Sequence, residues 1–145
     1  MGNHRILVTG SQGWGDREVI HRVLKALWTI TPGAVLVSGG CPRGADALAE
    51  ATWRSLGGEV ERHRPVWRPD GAFDPAAGIR RSEKMVQLGA DICVAFGVPC
   101  TRPACAGRRA DPGWPCHVSH GTGHCARYAE ANGIPVKRFT PILAV

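Results

Sequence analysis

Residues 98–125 read VPCTRPACAGRRADPGWPCHVSHGTGHC, with four cysteines (Cys100, Cys105, Cys116, Cys125) and three histidines (His117, His120, His124) in one stretch. Thiolate and imidazole are the donors that a tetrahedral zinc takes. The stretch is polar and rich in proline and glycine, and a loop this long in a compact domain needs something to order it. A structural zinc is the expectation. Cys100 and Cys105 have a permissible knuckle spacing. Cys125 falls in the first turn of the last helix, where the dipole favours thiolate. The fourth ligand comes from Cys116, His117 or His120, and His117 is preferred because three thiolates already bring an excess of negative charge. His120, beside Gly121 and Thr122, has a second reading, as a residue facing a ligand pocket.

A second stretch, SGGCPRGADALAE at 38–50, starts like a triphosphate loop and ends differently. Such a loop continues with Lys and then Ser or Thr; here Gly44 is followed by Ala45 and Asp46. Two more glycine turns share its character: TGSQGWGD at 9–16, and HGTGHC at 120–125. Glycine lets backbone come close to a ligand, and a helix start offers unpaired N–H groups to an anion. The loop therefore suits a monophosphate, a diphosphate or a ribose better than a magnesium triphosphate. Asp46 either accepts from sugar hydroxyls or sits in the first turn for the helix dipole. Trp14 is placed to stack on a base or to pack as a lid over the core, and Trp67 carries the same two readings. Glu50 reads as a solvated helix residue, Cys93 as core, and Cys41 as loop.

These turns need a frame. RILVTG, AVLVSGG and DICVAFG are short apolar runs that end at glycine, as buried parallel strands do. EVERHRPVW is a more polar strand nearer an edge, and IPVKRF closes the chain as a strand. Between them, Val19, Ile20, Val23, Leu24 and Leu27 recur at helical spacing behind Asp16. GADALAEATWRSLG, AAGIRRSEKMVQLGA and GTGHCARYAEANG read as further helices. Alternating strands and helices call for an α/β, Rossmann-like three-layer sandwich with a mostly parallel sheet of about five strands. The Cys/His-rich segment is inserted before its last helix. No repeat or boundary divides residues 1–145, so one domain is expected. Ligands of such sheets bind at the carboxyl ends of the strands, where the three glycine turns converge.

Of the 145 residues, 43% are hydrophobic and 21% charged, ordinary values for a globular protein. No apolar run approaches the ~20 residues that span a bilayer, and no signal or transit sequence is visible ahead of the first strand. The expectation is a cytoplasmic protein without a membrane partner. Six cysteines without a secretion signal argue against a disulfide framework. The net charge of +6 admits nucleic acid as a partner, but the basic residues are scattered. A homo-oligomer stays open.

The segments RILVTGSQGWGD, LVSGGCPRGADALAE, AGIRRSEKMV and the ending GT…A…GIPV resemble the SLOG superfamily, specifically its small YspA/YpsA-related members. The resemblance implies a Rossmann-like domain that binds nucleotides or nucleotide-derived signals. It implies a phosphate or ribose pocket at Gly10, Ser11 and Gln12, with Gly39, Gly40, Gly44, Ala45 and Asp46. Arg81 would add charge from the third helix, and Gly121 and Thr122 would present the start of the last. Gln12 stands where the pattern expects arginine, and Ser82 where it expects asparagine; losing the arginine weakens bidentate phosphate binding. Relatives include the "lonely guy" phosphoribohydrolases, which cleave an N-glycosidic bond, and the DNA-processing protein A family, which binds single-stranded DNA. The hydrolase motif Gly-Gly-x-Gly-Thr-x-x-Glu is not reproduced here, and no catalytic residue is assigned. Binding of a nucleotide is the leading expectation, with an N-glycoside hydrolase and a single-strand binder as alternatives.

Overall fold

The computed structural model describes residues 4–141. The segments at 1–3 and 142–145 of the expected single domain lie outside them. Five strands form one parallel sheet: β1 (Arg5–Gly10), β2 (Val35–Ser38), β3 (Glu59–Arg62), β4 (Ile92–Phe96) and β5 (Val136–Phe139). Their order is β3-β2-β1-β4-β5. The polar strand β3 is an edge, as its composition demands, and β5 is the other.

Period-two alternation splits the strands between two cores. Ile6 and Val8 of β1, Leu36 of β2, and Val94 and Phe96 of β4 face one side, with Ile20, Leu24 and Trp53 packed on them. These come from α1 (Arg17–Ile30) and α2 (Ala45–Ser55). Leu7, Val37 and Cys93 face the other side and meet Met85, Val86, Cys125 and Ala129, from α3 (Ala77–Gln87) and α4 (His120–Ala131). Helices on both faces explain why the central strands read as unbroken apolar runs. Asp16 caps α1, its carboxylate accepting from the Val19 N–H at 3.2 Å.

Of two expectations, Trp14 takes the second of its readings and Glu50 departs from its own. Trp14 is core: 2% exposed, edge-on to Phe96, its indole N–H spent on the Asp16 carbonyl. Glu50 is not solvated. It is 4% exposed, accepts from Ser38 at 2.7 Å and pairs with Arg62. Burial raises its carboxyl, but the Arg62 and Ser38 hydrogen bonds and the charges of Arg62 and Arg54 outweigh this and hold it below the usual range. Glu50 thus ties α2 to β2 and β3.

The insertion is better anchored than its composition suggests. Trp114 and Val118 are buried against Ala95 and Ala126. Its two ends pair: Cys100 N–H donates to the His117 carbonyl at 2.8 Å, and Ser119 N–H to the Val98 carbonyl at 3.0 Å. Gly97 is glycine because a Cβ there would come within 2.8 Å of the Trp114 ring.

Candidate functional site

The sheet order reverses between β1 and β4, and a cleft of about 1370 Å³ opens at the carboxyl ends of these two strands. Its floor is the turn Gly10–Gly13, and one wall is the α4 start with the inserted loop. Ser11 joins the parts. Its N–H donates to the Phe96 carbonyl at 2.9 Å, and its Oγ accepts from Val98 N–H at 3.1 Å. The same Oγ meets the hydroxyls of Ser119 and Thr122. Ser11 lines the cleft, but its hydroxyl is already engaged in holding the β1 turn, the β4 exit and the α4 start together.

Asp46 and Arg81 also face the cleft. Asp46 is 6% exposed, and its Oδ2 accepts from Cys41 N–H at 3.3 Å. Burial pushes its carboxyl up to about 6, against the Cys41 hydrogen bond and the Arg81 charge. Arg81 donates to the Gly39 carbonyl at 2.6 Å, and its buried Nε has no partner among the described residues.

Of the residues expected in the pocket, Gly10, Ser11, Gln12, Asp46, Arg81, Gly121 and Thr122 line the cleft. Gly39, Gly40, Gly44 and Ala45 stand behind it. Their glycines serve neighbouring protein rather than a ligand: a Cβ on Gly39 would strike Arg81, and one on Gly40 would strike Arg62. Gly44, at φ +76°, would put a Cβ 2.5 Å from the carbonyl oxygens of Ser11 and Gln12. Ala45 is fully buried under Gly10.

Four donors of the inserted loop converge at the cleft: Cys100, Cys105, His117 and His120. Their ligand atoms all lie within 4.8 Å of one another, so the group could hold a metal ion. The Nε2 atoms of His117 and His120 are 3.2 Å apart, and Cys105 Sγ is 3.3 Å from His120 Nε2. Asp111 faces the far side of His117, at 3.0 Å from Nδ1, and accepts from Val118 N–H at 2.8 Å. A carboxylate on Nδ1 fixes the ring and leaves Nε2 to coordinate. Burial raises the Asp111 carboxyl, and the Val118 and His117 contacts override this to hold it low. Burial, with Arg102, His117 and Arg108 near, keeps His120 below its usual range, favouring the neutral ring.

Cys125 does not join this group. It is fully buried between the sheet and α3. Burial pushes its thiol up, against hydrogen bonds with Thr9 and Ser82. The group that the structure brings together has His120 where the expected set of Cys100, Cys105, His117 and Cys125 had Cys125. The reason is helical: five residues at about 100° each turn Cys125 from the face of His120 to the face against the sheet. Cys116 is half-buried beside Trp114, and His124 pairs with Glu83 at 3.7 Å. Asp111 and Ser119 were not singled out by sequence, because nothing in their spacing marks them.

An open parallel α/β sheet with its cleft at the switch point defines the class as a Rossmann-like α/β domain. The family described as YspA, cpYpsA-related SLOG matches residues 4–69. Gene 61 protein of Mycobacterium phage D29 is 38% identical over 141 residues, spanning 93% of this chain and 95% of that protein. The chain belongs to the YspA, cpYpsA-related SLOG family. No solved structure matches it. Among the described residues, no helix is long and apolar enough to cross a membrane.

Proposed function

We propose that the protein binds a nucleotide or nucleotide-derived ligand in the β1–β4 cleft, and that a structural zinc fastens the cleft wall. The observation that carries the reading is the meeting at one cleft of the β1 turn, Asp46, Arg81 and the start of α4. Arg81 and the free N–H groups of the α4 start suit phosphate; the carboxylate of Asp46 suits a ribose hydroxyl.

The donor set fits zinc. A tetrahedron with Zn–N of about 2.0–2.1 Å has N···N edges of about 3.3–3.4 Å, and mixed S···N edges of about 3.5 Å. The separations of 3.2 and 3.3 Å are close to these. Cys100, Cys105, His117 and His120 would fill all four positions, so the ion would supply cross-linking of the loop rather than an open site for water. His120 is the first residue of α4, so the same ligand would hold the helix start against the cleft.

A panel of purine and pyrimidine nucleotides in a thermal-shift assay tests the binding, with chromatography of the mixture to detect free base. Stabilisation without turnover is the expected result; no stabilisation by any nucleotide contradicts it. Release of base would favour a second reading, N-glycoside hydrolysis, which the raised carboxyl of Asp46 alone recommends: a cleft carboxyl near 6 suits general acid–base work.

A further inference from the structure

Four arginines line the cleft: Arg81 from α3, Arg127 from α4, and Arg102 and Arg108 from the inserted loop. Among the described residues none of them is in an ion pair, whereas Arg5, Arg54, Arg62 and Arg138 all have acidic partners. The two carboxylates of the same cleft, Asp46 near Arg81 and Asp111 near Arg127, offset two of these charges and leave Arg102 and Arg108 without a counter-charge. The cleft is therefore cationic. At about 1370 Å³ it also exceeds the roughly 300–1,000 Å³ of ordinary small-molecule sites.

A different surface comes from the segment before α3. Trp67 lines the cleft, with one face stacked on Phe73 at 5.7 Å and 18°. The turn that carries it is closed by Asp74 N–H donating to the Trp67 carbonyl at 2.6 Å. Trp67 still keeps 43% of its surface exposed, and Ile79, which lines the same cleft, keeps 45%. Among the large hydrophobic residues left open, these two share the ligand cleft rather than the outer surface.

We propose that the ligand is a free nucleotide with two or more linked phosphates, its base against Trp67 and its outer phosphates on Arg102, Arg108 and Arg127. This rests on the nucleotide reading of the same cleft and goes beyond it to the ligand class. A single phosphate would occupy Arg81 and the α4 start and leave Arg102 and Arg108 unneutralised. Guanidinium groups present forked donors to phosphate oxygens, and a half-open indole offers a flat face to any base.

The zinc-loaded chain should be titrated calorimetrically, without magnesium, with AMP, ADP and ATP and with the guanine series in parallel. The diphosphate should bind at least about tenfold more tightly than the monophosphate. The double variant Arg102→Ala with Arg108→Ala should narrow that gap, its zinc content and melting temperature showing that the loop is intact. Arg127→Ala, on α4 and outside the loop, should narrow it too. Trp67→Ala should weaken every nucleotide by about tenfold or more and leave inorganic pyrophosphate unaffected. Equal affinity for mono- and diphosphates, or a gap that survives both arginine changes, would overturn the ligand class while the nucleotide site stands. A short single-stranded oligonucleotide binding more tightly than ADP would overturn it as well. Failure of all nucleotides to bind would overturn the underlying site.

Discussion

Burial leaves Asp46 with a carboxyl that gives up its proton late. Its native value of about 6 stands against 3.8 for the free side chain. Between those values the folded chain holds a proton that the unfolded chain has released, so stability falls as pH rises through the window. The contribution is complete below the unfolded value and gone above the folded one. Asp46→Asn removes the titration and should stabilise the protein near pH 7.5 by on the order of 1–3 kcal/mol relative to the parent, with little difference near pH 4. Denaturant melts at the two pH values measure this; an offset that does not change with pH would place Asp46 in a wetter setting. The proposed metal ligands separate as cleanly. Cys100→Ser should lose the zinc, whereas Cys125→Ser, in the core against Met85 and Val86, should keep about one zinc per chain by elemental analysis. Loss of zinc in both would restore Cys125 to the ligand set. The sequence announced the donors but not the choice among them. Cys125 and His120 lie on one short helix, and only the side that packs on the sheet decides which of them meets Cys100.

Among the elements, the inserted loop has an apolar anchor beside the proposed metal. Trp114 fills the space over Gly97 and lies against Val118. Trp114→Ala should cost about 3–5 kcal/mol, and limited proteolysis should then cut between Val98 and Ser119 even with zinc bound. Equal resistance in the variant would mean that the ion alone orders the loop. This anchor was hidden because Trp114 sits between Gly113 and Pro115, with no periodicity to mark it as core. The glycine turns were visible, but their purpose was not. A glycine that admits a ligand and one that admits a neighbouring carbonyl have the same sequence. Gly44 is of the second kind, with φ +76° and the Ser11 and Gln12 carbonyls against it. Gly44→Val should lower the melting temperature steeply by forcing the α2 start away from the β1 turn. A variant that melts like the parent would mean these segments can separate freely.

For the whole molecule, the strands and helices were legible because a sheet covered on both faces requires continuous apolar runs, and α1 shows its buried stripe at Val19, Ile20 and Leu24. Strand order was not legible, since no residue of β4 states that it lies beside β1 rather than β3. That adjacency creates the cleft. It brings Ser11 to Val98 and thereby the α4 start and the Cys/His group to the β1 turn. The proposed ligand enters this cleft, and amide chemical shifts locate it. Adding ADP to the zinc-loaded, isotope-labelled chain should move resonances of Gly10–Gly13, Val98–Arg102 and Ser119–Gly123 together. Resonances of the hollow between α1 and α2, lined by Arg17, His21 and Thr52, should stay in place. Shifts confined to that hollow, or no saturable shifts at the β1–β4 cleft, would contradict the account.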